Sequence, residues 1–311
     1  MEHNKTNETK GKETMAGKYL DPKADLTFKL VFGEHKDLVM SLLNALLPLE
    51  EDGQITSVEY LPSEMIPDNP LKKDSVVDVR CTDQQQRQFI VEMQLYWNEF
   101  FQQRVLLSAS KAVVRQLEKG MNYKLIQPVY CLNLVNDIGF DGAPNEFYHD
   151  YAIVNVEHSD RIIEGLRFVY VELPKFKPKT IAEKKMAVLW LRFLTEIDEH
   201  TQQVPEELLE NPDTRKALQI LEKSAFTDGQ LQAYSDFWMA LVDERVLREG
   251  SYKKGKAEGL AEGEAKGRAE GRAEEKLDNA LHLKANGVPV EIIAKSLGLT
   301  PDEIEALGGG A

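Results

Sequence analysis

Apolar residues recur at helical spacing through the opening DLTFKLVFGEHKDLVMSLLNALLPLE, at Phe28, Leu30, Val31, Phe32, Leu38, Val39, Leu42, Leu43 and Leu46. This predicts two helices divided at Gly33. The runs then shorten. SVEYLP, VVDVRC and RQFIVEMQL read as strands, the last two forming a hairpin closed by the polar TDQQQ. WNEFFQQRVLLSASKAVVRQLEKG predicts a long amphipathic helix stopped at Gly120. LIQPVYCLNLVN is nearly continuous apolar sequence, as expected of a strand buried on both faces. YAIVNVE and FVYVELP add two more strands. Residues 20–175 therefore predict a mixed α/β domain of five or six strands.

From Thr180 the spacing is helical, with no strand signal, through IAEKKMAVLWLRFL, EELLENP, TRKALQILEKSAF and QLQAYSDFWMALVDERVLREG. Residues 254–275 then repeat with period four, placing Gly at 255, 259, 263, 267 and 271 and Ala two positions after each. LDNALHLKANGVPVEIIAKSLGLTPDEIEAL predicts three short helices, with Gly287 and Gly298 as stops and Thr300-Pro301 as cap and first turn. The expected layout is a polar, disordered leader over 1–18 and an α/β domain over 19–178. A helical annex follows over 179–250, an Ala/Gly/Glu-rich helical tail over 251–275, and a small three-helix module over 276–311.

Composition narrows the class. The 311 residues are 42% hydrophobic and 29% charged, which excludes a fibrous or wholly disordered chain. No apolar stretch is long enough to span a membrane, and the polar start lacks a signal-peptide core, so a cytoplasmic protein is expected. Cys81 and Cys131 lie among apolar residues, as reduced core cysteines would. The net charge of −14, from 38 basic and 52 acidic residues, argues against a nucleic-acid coat protein. It leaves room for a nuclease, whose site gathers carboxylates around Mg²⁺.

The hairpin carries the candidate chemistry. If it turns about Gln85, Asp78 faces Glu92 across the ribbon. Alternation puts Val77, Val79, Cys81, Phe89, Val91 and Met93 on one face and Val76, Asp78, Arg80, Ile90, Glu92 and Gln94 on the other. Opposed strand positions hold their Cβ atoms about 5 Å apart, where like charges destabilise. A divalent cation between the acids removes that penalty, and oxygen ligands of this kind suit Mg²⁺. The ordinary alternative is a pair of acids on the solvent face of a half-exposed hairpin. Arg104 on the long helix, and Lys72 and Lys73 before the acid strand, are candidate phosphate contacts. Arg115 on the same helix reads equally well as a solvated face.

The order of these segments resembles the PD-(D/E)XK-type transposases of the recombination-promoting nuclease (Rpn) family. DPKADLTFKLVFG resembles the family's opening, SLLNALLPLE with ITSVEYLPSE its helix-to-strand passage, and KDSVVDVRC, IVEMQL and FFQQRVLLSASKAVVRQLEKGMNYKLIQPVYCLNLVN its catalytic core. The Gly-rich helix and the IAKSLGLTPDEIEAL ending are also similar, so the likeness covers nearly the whole chain past Leu20. It implies a restriction-endonuclease-like mixed sheet flanked by helices. It also implies a metal-dependent DNA endonuclease linked to recombination or transposition, with Asp78 and Glu92 as ligands of Mg²⁺ (or Mn²⁺). Gln94 falls where the wider superfamily keeps a lysine, and it brings no charge. Lys29 could supply that charge and Asp25 a further metal or water contact, unless the two, one helical turn apart, pair with each other.

The remaining motifs carry less. GSYKKGKA at 250–257 mimics a phosphate loop but ends in Ala257 and follows no strand. The six histidines show no ligand spacing. The period-four Gly/Ala stripe permits close helix–helix approach, and so a homodimer through residues 251–275, or else marks a soluble connector. PDEIEAL is too acidic to read a major groove. The competing function is a non-catalytic DNA-associated or protein-interaction protein that retains the fold and assembles through its tail. An RNA or nucleotide substrate is a third reading of the same core.

Overall fold

The computed structural model describes residues 18–65, 75–117, 120, 122–178 and 185–307. By their internal contacts they form two compact units, meeting in the chain between Trp238 and Met239. The leader, Lys72 and Lys73 fall outside the described residues, apart from Lys18.

In the first unit the opening helix is short. α1 (Asp25–Phe28) passes directly into a π turn over Lys29–Gly33, and α2 (Lys36–Leu46) follows. A π turn widens the helix by one residue per turn and shifts the side chains beyond it. The Tyr60 hydroxyl donates to Phe32 O at 2.8 Å and fixes the turn beside the first strand. α2 buries Leu38, Val39, Leu42, Leu43 and Leu46. At roughly 2 kcal/mol per buried aliphatic side chain, that single face anchors the helix far more firmly than propensity could.

The strands are β1 (Val58–Tyr60), β2 (Glu64–Met65), β3 (Ser75–Val76), β4 (Val79–Asp83) and β5 (Gln88–Gln94). α3 (Phe101–Val114) leads to β6 (Val129–Val135), β7 (Tyr148–Val154) and β8 (Ile162–Glu172). Six of them form one sheet in the order β1-β4-β5-β6-β8-β7, while β2 and β3 make a separate ribbon. β4–β5 is antiparallel, and β5–β6 and β6–β8 are parallel. The crossover between β5 and β6 is α3, as parallel pairing requires.

The sheet is covered on both sides. Val79, Cys81, Phe89, Val91, Leu132 and Val169 pack against α2 and the later helices α4 (Met186–Glu196), α5 (Glu206–Glu210) and α6 (Pro212–Ile220). Ile90, Cys131, Val135 and Tyr170 pack under Phe101, Val105, Ala109 and Ala112 of α3. The two cysteines are free, buried and on opposite faces.

Three local expectations need correction. Val77 belongs with Ile90 and Met65, not with Val79. Its segment leaves the hairpin at Asp78, and β3 pairs with β2 instead, so the alternation changes phase. The last two strands begin earlier than their apolar runs, because β7 and β8 extend as an edge hairpin with a bulge between Ala152 and Ile153. The helix after the hairpin is also shorter than its apolar period, and Arg115 is its C-cap residue.

α7 (Asp228–Ala285) is one uninterrupted helix, which runs through the boundaries expected at 250 and 275. Residues 251–275 lie within it and are exposed throughout. In the second unit its last turns pack Ala280 against Ile293 of α8 (Val290–Leu297) and Ile304 of α9 (Pro301–Ala306). Gly287 and Gly298 take positive φ, 78° and 65°, as helix stops do. Thr300 and Glu303 form a reciprocal capping box. Among the described residues, no helix is long and apolar enough to cross a membrane.

Candidate active site

The β4–β5 register pairs Val79 with Val91 and Arg80 with Ile90. Continued one step, it sets Asp78 opposite Glu92, just before β4 begins. The Asp78 carboxylate is held there because Met93 N–H donates to its Oδ2 at 2.7 Å. Glu92 is 9% exposed. Among the described residues, none donates a hydrogen bond to its carboxylate. Glu92 thus lies toward the C-terminal end of β5, which pairs parallel with β6, and Asp78 meets it there from the start of the antiparallel β4; C-terminal strand ends are where α/β sheets present their ligand sites. A cavity of about 450 Å³ lined by Arg87, Tyr130 and Arg167 lies toward the opposite ends of β5 and β6.

Both acids hold protons more tightly than ordinary carboxyls. Burial is the main cause at Asp78, with the Asp25 charge adding to it, while the Met93 N–H, Lys29 and Arg104 oppose. Burial also dominates at Glu92, followed by the Asp78 charge, with Arg104 and Lys29 opposing. Two carboxyls that resist ionisation side by side form a site that a cation would stabilise.

The structure brings the sequence candidates to this point from three elements. Lys29, first residue of the π turn, forms an ion pair with Asp25 at 2.6 Å, and its charge acts on both acids. Pairing with Asp25 and proximity to the site thus coexist. Gln94 closes β5; its Nε2 donates to Tyr96 O at 2.7 Å and its Oε1 accepts from Arg104 Nη2. The Arg104 guanidinium also stands 5.1 Å from the Phe101 ring centroid. Where a lysine would bring charge on the strand, an amide on the strand instead holds an arginine from α3.

The donor set suits a hard cation. Among the described residues, no cluster of three or more His, Cys, Asp or Glu side chains occurs. Two protein carboxylates, with water and phosphate oxygens completing the shell, match Mg²⁺, which gives up its waters reluctantly. Asp78 and Glu92 are the residues that would hold it. His149 serves elsewhere: with Lys175 and the N–H groups of Gly139 and Phe140, it binds Glu172 at the end of β8. Burial alone would raise the Glu172 pKa, but those partners, Lys175 foremost, bring it below the usual range.

Sequence reasoning missed Asn133. It lies in register with Glu92 on one side and Tyr170 on the other, fully buried, and its Oδ1 has no hydrogen-bond partner. The available signal was a lone amide inside the apolar run VYCLNLV.

A family model described as PD-(D/E)XK nuclease family transposase matches residues 22–250. No curated protein matches, and no solved structure matches.

Proposed function

The chain belongs to the PD-(D/E)XK nuclease family transposases, with its mixed six-stranded sheet and flanking helices in the restriction-endonuclease-like α/β fold. From that premise we propose that it is a Mg²⁺-dependent DNA endonuclease, acting in the cytoplasm in recombination or transposition. The observation that carries this reading is the opposed pair of half-buried Asp78 and buried Glu92, flanked by the charges of Lys29 and Arg104.

The cation, when bound, supplies Lewis-acid stabilisation of the phosphodiester and a more acidic water. The chain's own groups do the rest. Asp78, fixed by Met93 N–H, and Glu92 would hold the cation. Lys29 and Arg104 draw a phosphate toward a chain of net charge −14. They also offset charge that builds on the non-bridging oxygens. Gln94 aims the Arg104 fork. Water oxygen bonds to phosphorus and sheds a proton, and the bond from phosphorus to the 3′ oxygen breaks, giving a 5′-phosphate and a 3′ alkoxide that takes up a proton to become the hydroxyl.

The test is plasmid relaxation with Mg²⁺. Nicking by the wild-type chain that Asp78→Ala abolishes supports the reading. Equal nicking by both proteins, or none by either, overturns it.

A further inference from the structure

Two acceptor groups on the α3 face of the sheet have no donor among the described residues: the carboxylate of Glu92, a residue 9% exposed, and the fully buried Asn133 Oδ1. They are register neighbours on adjacent parallel strands. In such a pair the side chains project from the same face, and the strands run about 4.8 Å apart. The Asn133 amide is oriented by its nitrogen. Nδ2 donates to Val169 O on β8 at 3.1 Å and to Cys131 O at 3.4 Å. Flipping the amide would set its oxygen against two carbonyls, so the assignment is fixed by chemistry. With nitrogen turned toward β8, the oxygen branch is directed to the β5 side, where Glu92 stands.

With Glu92 ionised, the form that would hold a cation, neither oxygen can satisfy the other, since both are then acceptors. A water molecule can satisfy both by donating one hydrogen to each. Two O–H···O bonds of about 2.8 Å span roughly 4.5 Å at the water angle, which fits the spacing of adjacent strands. The water's lone pairs then remain for a cation.

We propose that Asn133 is a positioning residue of this site, its Oδ1 holding a buried water against the Glu92 carboxylate. The inference rests on reading Asp78 and Glu92 as cation ligands. It adds a third strand, β6, to the two already assigned.

A crystal structure of the full chain without added metal, at a pH high enough to ionise Glu92, tests the water directly. Solvent density within hydrogen-bonding reach of both Asn133 Oδ1 and Glu92 is expected, and a dry contact between them overturns the proposal. Mn²⁺ titration tests the role. Asn133→Leu should bind Mn²⁺ about 10–100-fold more weakly than wild type, as loss of an outer-shell partner does. Asn133→Asp, which keeps an oxygen in place, should bind at least as tightly as wild type. Unchanged binding by Asn133→Leu, or binding by Asn133→Asp as weak as by Asn133→Leu, overturns the role. Should Asn133→Leu fail to fold, the crystallographic result decides. Binding lost in Asp78→Asn but untouched in Asn133→Leu removes Asn133 alone. No Mn²⁺ binding by wild type, or binding indifferent to Asp78→Asn, removes the two-acid reading together with it.

Discussion

Replacing one of the two opposed acids should make the metal-free protein more stable, not less. Consider Glu92→Gln, which keeps shape and removes charge. At about 5 Å separation and an effective dielectric of about 20, two unit charges repel by roughly 3 kcal/mol. Lys29 and Arg104 offset part of this, so relief of the repulsion alone should give a net gain of about 1–3 kcal/mol once both acids are ionised, and relief of the buried charge adds to it. The sign follows from proton linkage. Burial and Asp78 raise the folded Glu92 pKa from the ordinary 4.5 to about 8. The folded state thus binds its proton more tightly than the unfolded chain, and wild-type stability falls as pH rises through that interval. The variant is spared this loss, so its advantage should grow from about pH 4.5 to about pH 8 and level off above. The three tryptophans, Trp97, Trp190 and Trp238, all lie in the first unit. Thermal melts in EDTA followed by their fluorescence therefore report the first unit. About 2–4 °C per kcal/mol is expected for a unit of this size. Saturating Mn²⁺ should reverse the order, because only the wild type gains binding energy, about 2.7 kcal/mol at one hundred times Kd. A Glu92→Gln variant no more stable than wild type at pH 9 in EDTA would show that the acids do not share one field, and the argument for a cation between them would fail.

Arg104→Ala should lower plasmid cleavage by about 10–100-fold, with Arg104→Lys recovering only part because it cannot offer a fork to Gln94 and phosphate together; equal rates in all three would remove Arg104 from the site. A Cβ at Gly139 would collide with the Trp97 ring. That ring is wedged against Phe101, Phe140 and Tyr170, so Gly139→Ala should cost about 1–3 kcal/mol or more by denaturant unfolding. Gly259→Ala and Gly263→Ala lie in an exposed helix interior with open space at Cβ. Each should raise helicity and stabilise that helix by up to about 1 kcal/mol, read by circular dichroism; a loss of helicity would mean that the small stripe is packed against something.

The legible part of the fold was the part set by local alternation. The hairpin register could be read because polar residues 82–86 leave few turn positions, and a one-residue slip would expose Val79, Cys81, Phe89 and Val91 together. The phase change at Val77 was illegible, because it depends on β3 finding β2, a pairing between two-residue strands with no periodic signal. Helical spacing located the opening segment but could not show that Lys29 begins a π turn. The reach of Lys29 to the acids follows from that turn and from its anchor at Tyr60, contacts distant in sequence. Asn133 was hidden for a different reason. A single amide in a buried strand reads as a tolerated exception until the neighbouring strand is known to carry Glu92.

The departure at Gln94 becomes intelligible once charge is counted by place and not by motif. A lysine at that strand position would carry its cation on a flexible stem next to two acids. Here the strand supplies a neutral amide, and the cations come from the π turn and from α3. Arg104 is anchored at two points, Gln94 Oε1 and the Phe101 ring, so less freedom is lost when phosphate arrives than for an unanchored lysine. Its exposed position keeps the guanidinium cheap to hold without substrate, since little desolvation opposes it. Within the site, ionisation is costly at Asp78 and Glu92, and that cost is what a divalent ion would remove. The same division explains how so acidic a chain can address a polyanion: its positive charge need be concentrated only at the mouth of the site.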